Sequence, residues 1–186
     1  QTPLNEQDLK TMSEAVEVLR QFKGFSYFRE MSDIINRLED HVASARMKTT
    51  PVIDFENNES LKGLDYLDTI YHAIVNEHPI QLKYRSFKAR SANSFIFYPY
   101  LLKEYRNRWF VYGVRGNGRI LQNLALDRIQ SLEVLPQEHY IKNTFFDPNT
   151  FFDDLVGVTK NSGSVAEKIG FKVAAAEAPY IITKPI

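Results

Sequence analysis

Between Lys83 and Arg128 the chain interleaves cations with aromatic rings at strand-like spacing: Lys83-Tyr84-Arg85, Arg90, Tyr100, Lys103, Arg106, Arg108-Trp109, Tyr112 and finally Arg128. A planar guanidinium can grip a phosphate through two parallel hydrogen bonds, and an aromatic face can stack a base. Alternation of the two types therefore suits an anionic ligand such as a single-stranded nucleic acid or a nucleotide-like signal. On this reasoning Arg85, Arg108 and Arg128 are the leading phosphate contacts, with Lys83, Arg90, Lys103 and Arg106 as a second group. Tyr84, Tyr100, Trp109 and Tyr112 are the candidate stacking partners. Each also has a plainer assignment. Alternation along the strand turns Tyr84 inward, a lone Trp in a strand is often core packing, edge strands carry cations to block pairing, and Arg128 has Asp127 as a neighbouring counter-ion.

The charge distribution strengthens the anion reading. The formal net charge of the 186 residues is zero, yet residues 83–128 hold ten Lys/Arg against two acids, a local +8. Residues 1–82 hold eight against fourteen, and residues 129–186 five against seven. Positive charge confined to a quarter of the chain is the footprint of a polyanionic partner. With 44% hydrophobic residues the chain can bury one good core or two modest ones. No apolar run approaches the roughly 20 residues that a membrane helix needs, and no signal peptide opens the chain. Cysteine is absent, which excludes disulfides and thiolate chemistry and fits a cytoplasmic location.

The elements that must position these residues can be read from periodicity. Over residues 5–22, Leu9, Met12, Val16, Leu19 and Phe22 recur at spacings of three and four, and from Ser26 to about residue 42 Phe28, Met31, Ile35, Leu38 and Val42 do the same. Two helices joined at Lys23-Gly24 form an antiparallel hairpin. Its acids, Glu30, Asp33, Glu39 and Asp40, oppose a DNA-reading role, because a recognition helix must approach phosphates; packing or dimer contact fits better. Residues 51–60 read as a linker, with Pro51 and no periodicity. A third helix is expected from about Ser60 to Glu77, with Leu61, Leu64, Leu67, Ile70 or Tyr71, and Ile74 inward and His78-Pro79 as its stop.

Strands follow. Ile80, Leu82 and Tyr84 share one face of the first, and Gln81, Lys83 and Arg85 the other. Further strands are expected at Ser94–Tyr98, at Leu101–Tyr105 after a break at Pro99-Tyr100, and at Arg108–Val114, Arg119–Ala125 and Ile129–Leu135. Turns fall at Arg106-Asn107 and Arg115-Gly116-Asn117-Gly118. The expected fold is therefore α+β, an N-terminal helical hairpin followed by a helix plus a small Sm/SH3-like antiparallel β-barrel. Asp147-Pro148-Asn149 is read as the start of a short helix anchored by Phe151, Phe152 and Leu155.

The run I-x-L-x-Y-R at Ile80–Arg85, PYLLKEYRNRWFVYG at Pro99–Gly113 and LALDRI at Leu124–Ile129 resembles the WYL domain. The Trp-Tyr-Leu triplet that names the family stands here as Trp109-Phe110-Val111, and Ala125 occupies a position where many members carry Arg. The resemblance implies a sensor barrel at residues 61–142, joined by a connecting helical region at 1–50 to a DNA-binding winged helix that would precede this chain. Residues 143–186, with Lys168–Val173 and Ala178-Pro179-Tyr180, would open a C-terminal extension. The implied role is the ligand-sensing part of a bacterial transcription regulator that acts as a homodimer on duplex DNA.

Catalysis is not expected. His41, His72, His78 and His139 have no metal-ligand spacing, no nucleophile or phosphate-loop motif occurs, and no cofactor is implied. The alternative class is a stand-alone binder of RNA or single-stranded DNA, for which the N-terminal helices have no obvious use.

Overall fold

The computed structural model describes residues 61–116, 118, 120–161 and 163–183, with isolated positions between 7 and 37. The expected helical hairpin lies outside the described residues apart from those positions, and so does the linker at 51–60. The chain divides into two compact units, Gln1–Asn143 and Thr144–Ile186.

In the first unit the described residues are α+β: helix α1 (Leu67–Val75), preceded by a 3-10 turn at Leu64–Tyr66, and five strands. These are β1 (Ile80–Tyr84), β2 (Asn93–Tyr105), β3 (Arg108–Arg115), β4 (Leu121–Ala125) and β5 (Ile129–Val134), all antiparallel, in the order β4-β3-β2-β1-β5. The helix starts later than expected because Gly63 adopts a left-handed φ of 84°, which no α-helix can contain. A Cβ at Gly63 would lie 2.4 Å from the Leu126 carbonyl carbon, so this turn is seated directly on the backbone between β4 and β5. The helix buries Leu67, Ile70 and Ala73 and leaves Tyr71 outside. It ends at Asn76, whose amide donates to the His72 carbonyl at 3.0 Å, just before His78-Pro79.

Alternation in β1 holds as expected. Ile80 and Leu82 are fully buried and Lys83 is exposed. The inward residues Phe97, Val111, Leu124, Leu126 and Ile129 join them and the helix in one apolar core, and each large side chain so buried contributes about 1.5–3 kcal/mol. At Pro99 the expected break is absent. Strand β2 runs unbroken through thirteen residues, and the ladder absorbs the proline by a shift of register between Pro99 and Leu101. The β1 ladder already ends at the Ile80–Phe97 pair, so beyond it β2 has one laddered neighbour and tolerates a missing amide. Opposite this bend sits Gly113, where a Cβ would lie 2.1 Å from the Tyr98 carbonyl oxygen; only a bare backbone lets β2 fold so closely over β3.

The expected closed barrel is corrected to an open sheet. Among the described residues no ladder joins the edge strands β4 and β5. A 3-10 turn at Leu126–Arg128 carries the chain between them instead. From Ala125 to Ile129 the chain can reach at most about 15 Å, at ~3.8 Å per residue. Five flat strands at ~4.8 Å spacing would hold their edges about 19 Å apart. The sheet must therefore curl, so that its edges approach without pairing and its concave face surrounds the core.

In the second unit the expected helix at Asp147 is replaced by turns. The Asp147 carboxylate accepts from the Asn149 amide at 2.9 Å and its carbonyl from the Phe151 amide at 2.9 Å, the local competition that makes Asp a turn former. Phe151 meets Phe146 and Phe152 edge to face, each with centroids 5.0 Å apart. Lys168–Val173 is exposed, and the short helix α2 spans Ala178–Ile182.

Candidate ligand-binding site

The 3-10 turn that joins the two sheet edges also gathers charge. Asp127 stands at its centre with the side chain 13% exposed. Arg108, from the start of β3, brings its Nε to 3.6 Å from one carboxylate oxygen, and the neighbouring Arg128 brings its Nε to 3.9 Å from the other. Both separations exceed hydrogen-bond length, and Asp127 Oδ1 and Arg128 Nε are buried atoms with no hydrogen-bond partner among the described residues. The arrangement is electrostatically matched yet not closed by hydrogen bonds at those atoms.

Arg128 is fixed on its other sides. Its guanidinium lies 4.4 Å from the centroid of the Phe87 ring, a geometry favourable for cation–π attraction. It also hydrogen-bonds the Tyr84 hydroxyl. Burial raises that hydroxyl's pKa, while the Arg128 charge and the Ala125 amide pull it back down. Arg85 follows at the end of β1, and its amide donates to the Arg128 carbonyl at 3.1 Å. Arg108, Arg128 and Tyr84 are thus brought together around Asp127, whereas the Arg85 guanidinium turns away and its Nε donates to the Ala89 carbonyl at 3.4 Å.

Beside this cluster the curled sheet leaves a hollow of about 170 Å³. Tyr84 forms one wall. Phe95, Leu124, Asn93, Gln122 and Arg115 form much of the rest, and the Arg115 guanidinium lies 4.0 Å above the Phe95 ring.

The other expected residues are placed elsewhere. Lys83 projects from the outer face of β1 and Arg90 is exposed in the β1–β2 loop. Lys103 is half-buried in β2. Arg106 sits at the tip of the β2–β3 hairpin, 5.3 Å above the Tyr105 ring. The other three aromatics expected to stack are placed inward. Tyr112, at 2% exposed, and Tyr100, at 8%, lie in the interior, where burial pushes each hydroxyl up to about 12. Trp109 packs against the core. Their apolar ring area outweighs the one polar atom each carries.

Sequence reasoning passed over Phe87, Phe95, Asn93 and Gln122, and assigned Arg115 to a turn. One signal for Gln122 was present: in Leu121–Leu126 it shares the parity of the inward-facing Leu124 and Leu126, and a polar residue at an inward position calls for a partner.

Among the described residues no group of three or more His, Asp or Glu is placed to hold a metal ion, and no helix is long and apolar enough to cross a membrane. The fold and cluster define a curled antiparallel sheet with a basic, aromatic-edged mouth. Residues 65–134, somewhat over a third of the chain, match the model of the WYL domain. Proteasome accessory factor B/C (PafBC) of Arthrobacter aurescens is a similar solved structure, at 16% identity and a TM-score of 0.39. The similarity covers 60% of this chain and 17% of that one, so the chain spans less than a fifth of PafBC. No curated protein matches the chain.

Proposed function

We propose that the domain matched by the WYL model is the ligand-sensing module of a DNA-binding transcription regulator, and that the ligand is anionic, a single-stranded nucleic acid or a nucleotide-like signal. The observation that carries the reading is the convergence of Arg108 and Arg128 on Asp127, with separations of 3.6 and 3.9 Å. Two guanidiniums from different elements already face one anionic group there. A phosphate offers more acceptor oxygens than a carboxylate and can satisfy donors that the carboxylate leaves open. The role is binding and not catalysis. The curled sheet reads as an Sm-like half-barrel in which the turn between β4 and β5 replaces the closing ladder, and ligand occupancy would bias the spacing of two winged helices in a homodimer.

The test is a fluorescence anisotropy titration of a labelled short single-stranded oligonucleotide at low and at moderate salt. Binding that weakens with salt, and weakens further in Arg108→Ala and Arg128→Ala, supports the reading, each lost phosphate contact reducing the salt slope by about one. Absence of binding at low salt, or indifference to both substitutions, refutes it. Light scattering at micromolar concentration tests the dimer.

A further inference from the structure

We infer that the hollow beside Tyr84 is the seat of one unpaired purine or pyrimidine base, whose phosphate lies against Arg128. This rests on the reading above and adds what the site recognises besides charge. Three observations support it. The first is the chemistry of the lining. A hollow built for phosphate alone needs donors only, but its lining includes Asn93 and Gln122, whose side-chain amides each carry both a donor and an acceptor, and the hydroxyl-bearing Ser86. Mixed donors and acceptors match the edge of a heterocycle, on which both kinds of group alternate.

The second observation is the walls. Phe95 and Leu124 supply apolar surface, and the central carbon of the Arg115 guanidinium sits over the Phe95 ring, 4.0 Å from its centroid. A guanidinium held on one face by a ring keeps its opposite face for stacking on a base. The third is size and position. A volume of about 170 Å³ corresponds to roughly six waters at ~30 Å³ each, enough for one ring system and not for a whole nucleotide. The hollow opens to solvent, which leaves the sugar and phosphate room outside it, and Tyr84 spans the gap: its ring lines the hollow while its hydroxyl meets the Arg128 guanidinium.

The same chemistry is offered by a free nucleotide and by a single strand. Calorimetric titration of the whole chain with inorganic phosphate, ribose 5-phosphate, the four nucleoside monophosphates and a five-nucleotide single strand separates the sources. At least one nucleoside monophosphate is expected to bind about tenfold or more tighter than ribose 5-phosphate, from base stacking and edge contacts. Gln122→Leu and, independently, the exposed Asn93→Ala should shrink that ratio while leaving ribose 5-phosphate binding unchanged. Arg128→Ala should weaken every phosphate compound alike. A five-nucleotide strand binding no better than the best monophosphate assigns the site to free nucleotides; a much tighter strand assigns it to single-stranded nucleic acid. Equal affinities for ribose 5-phosphate and all four monophosphates, or a ratio untouched by both Gln122→Leu and Asn93→Ala, overturn the base seat while leaving the anion reading intact. No binding of any phosphate compound removes both.

Discussion

Replacing Asp127 by asparagine keeps the shape of the turn between β4 and β5 and deletes the charge that Arg108 and Arg128 share. Two effects of opposite sign follow. At ~4 Å and an effective dielectric of ~20, each pair would be worth up to about 4 kcal/mol. Arg108 is 45% exposed at its side chain, however, and Arg128 26%. Neither contact is a hydrogen bond, so solvent screening and poor geometry bring the Arg108 pair down to roughly 0.2–1 kcal/mol, and the Arg128 pair, less exposed, remains the larger. The unliganded protein should lose about 1–2 kcal/mol of stability, a size usual for a single substitution. The anion site should gain, because an incoming phosphate no longer competes with an internal carboxylate for the same two guanidiniums. A gain of about 1.4 kcal/mol corresponds to tenfold tighter binding. Urea unfolding without ligand and anisotropy titration with the single-stranded probe measure the two halves, and both effects should fade as salt rises. Reduced stability with unchanged or weaker affinity would show that the guanidiniums at Asp127 are structural and that the ligand sits elsewhere.

Three other outcomes are expected. Gly63→Ala places a Cβ 2.4 Å from the Leu126 carbonyl carbon at a φ of +84°, so thermal unfolding should show a loss of roughly 3 kcal/mol or more, beyond the ~1 kcal/mol that left-handed backbone alone costs a side chain; ordinary stability would mean that the turn does not rest on this glycine. Arg106→Asn should stabilise by about 0.5–1 kcal/mol in urea unfolding, because Arg106 and Asn107 hold φ of 50° and 60°, the two positive positions of a type I′ hairpin that Asn tolerates and Arg does not. Alkaline titration should reveal Tyr100 and Tyr112 as late groups: burial raises each to about 12, so the folded state keeps protons that the unfolded state releases near pH 10. The stability they contribute is complete below about pH 10 and is lost as pH rises through about 12, with phenolate absorbance appearing together with unfolding.

Local rules made much of the sheet legible. Ile80, Leu82 and Lys83 fall on the faces that alternation assigns them, and Arg106-Asn107 forms the hairpin turn that the flanking strands require. What the sequence hid depends on tertiary context. Proline at position 99 reads locally as a strand break, and only the end of the β1 ladder at Phe97 and the bare backbone of Gly113 let β2 continue through it. Gly63 sits inside an apolar periodicity that continues the helix, and its left-handed turn becomes necessary only when the backbone at Leu126 arrives against it. In the cluster at Asp127, charge pattern brought Arg108 and Arg128 forward together, and ranked Arg85 with them although its guanidinium turns to the Ala89 carbonyl. The same pattern could not separate Tyr84, whose hydroxyl reaches the cluster, from Tyr100 and Tyr112, whose rings serve the interior.

The charge cluster at Asp127 and the unfinished closure of the sheet have one cause. A fully laddered β4–β5 pair would give those two strands extended backbone and direct alternate residues to opposite faces, separating Asp127 from Arg128. The 3-10 turn keeps both on one side and lets Arg108 reach them from β3. It also leaves the mouth beside Tyr84 open, where a closed ladder would have needed side chains to fill it. Gly63, seated on the Leu126 backbone, fixes that turn from the helix side. If the proposed site is right, a substitution at Gly63 should move affinity for the single-stranded probe as well as stability, and the same contact would couple α1 to the site. If Gly63→Ala lowered stability while affinity for the single-stranded probe stayed at the wild-type value, the turn would be rigid without its glycine support and this route from site to helix would not exist.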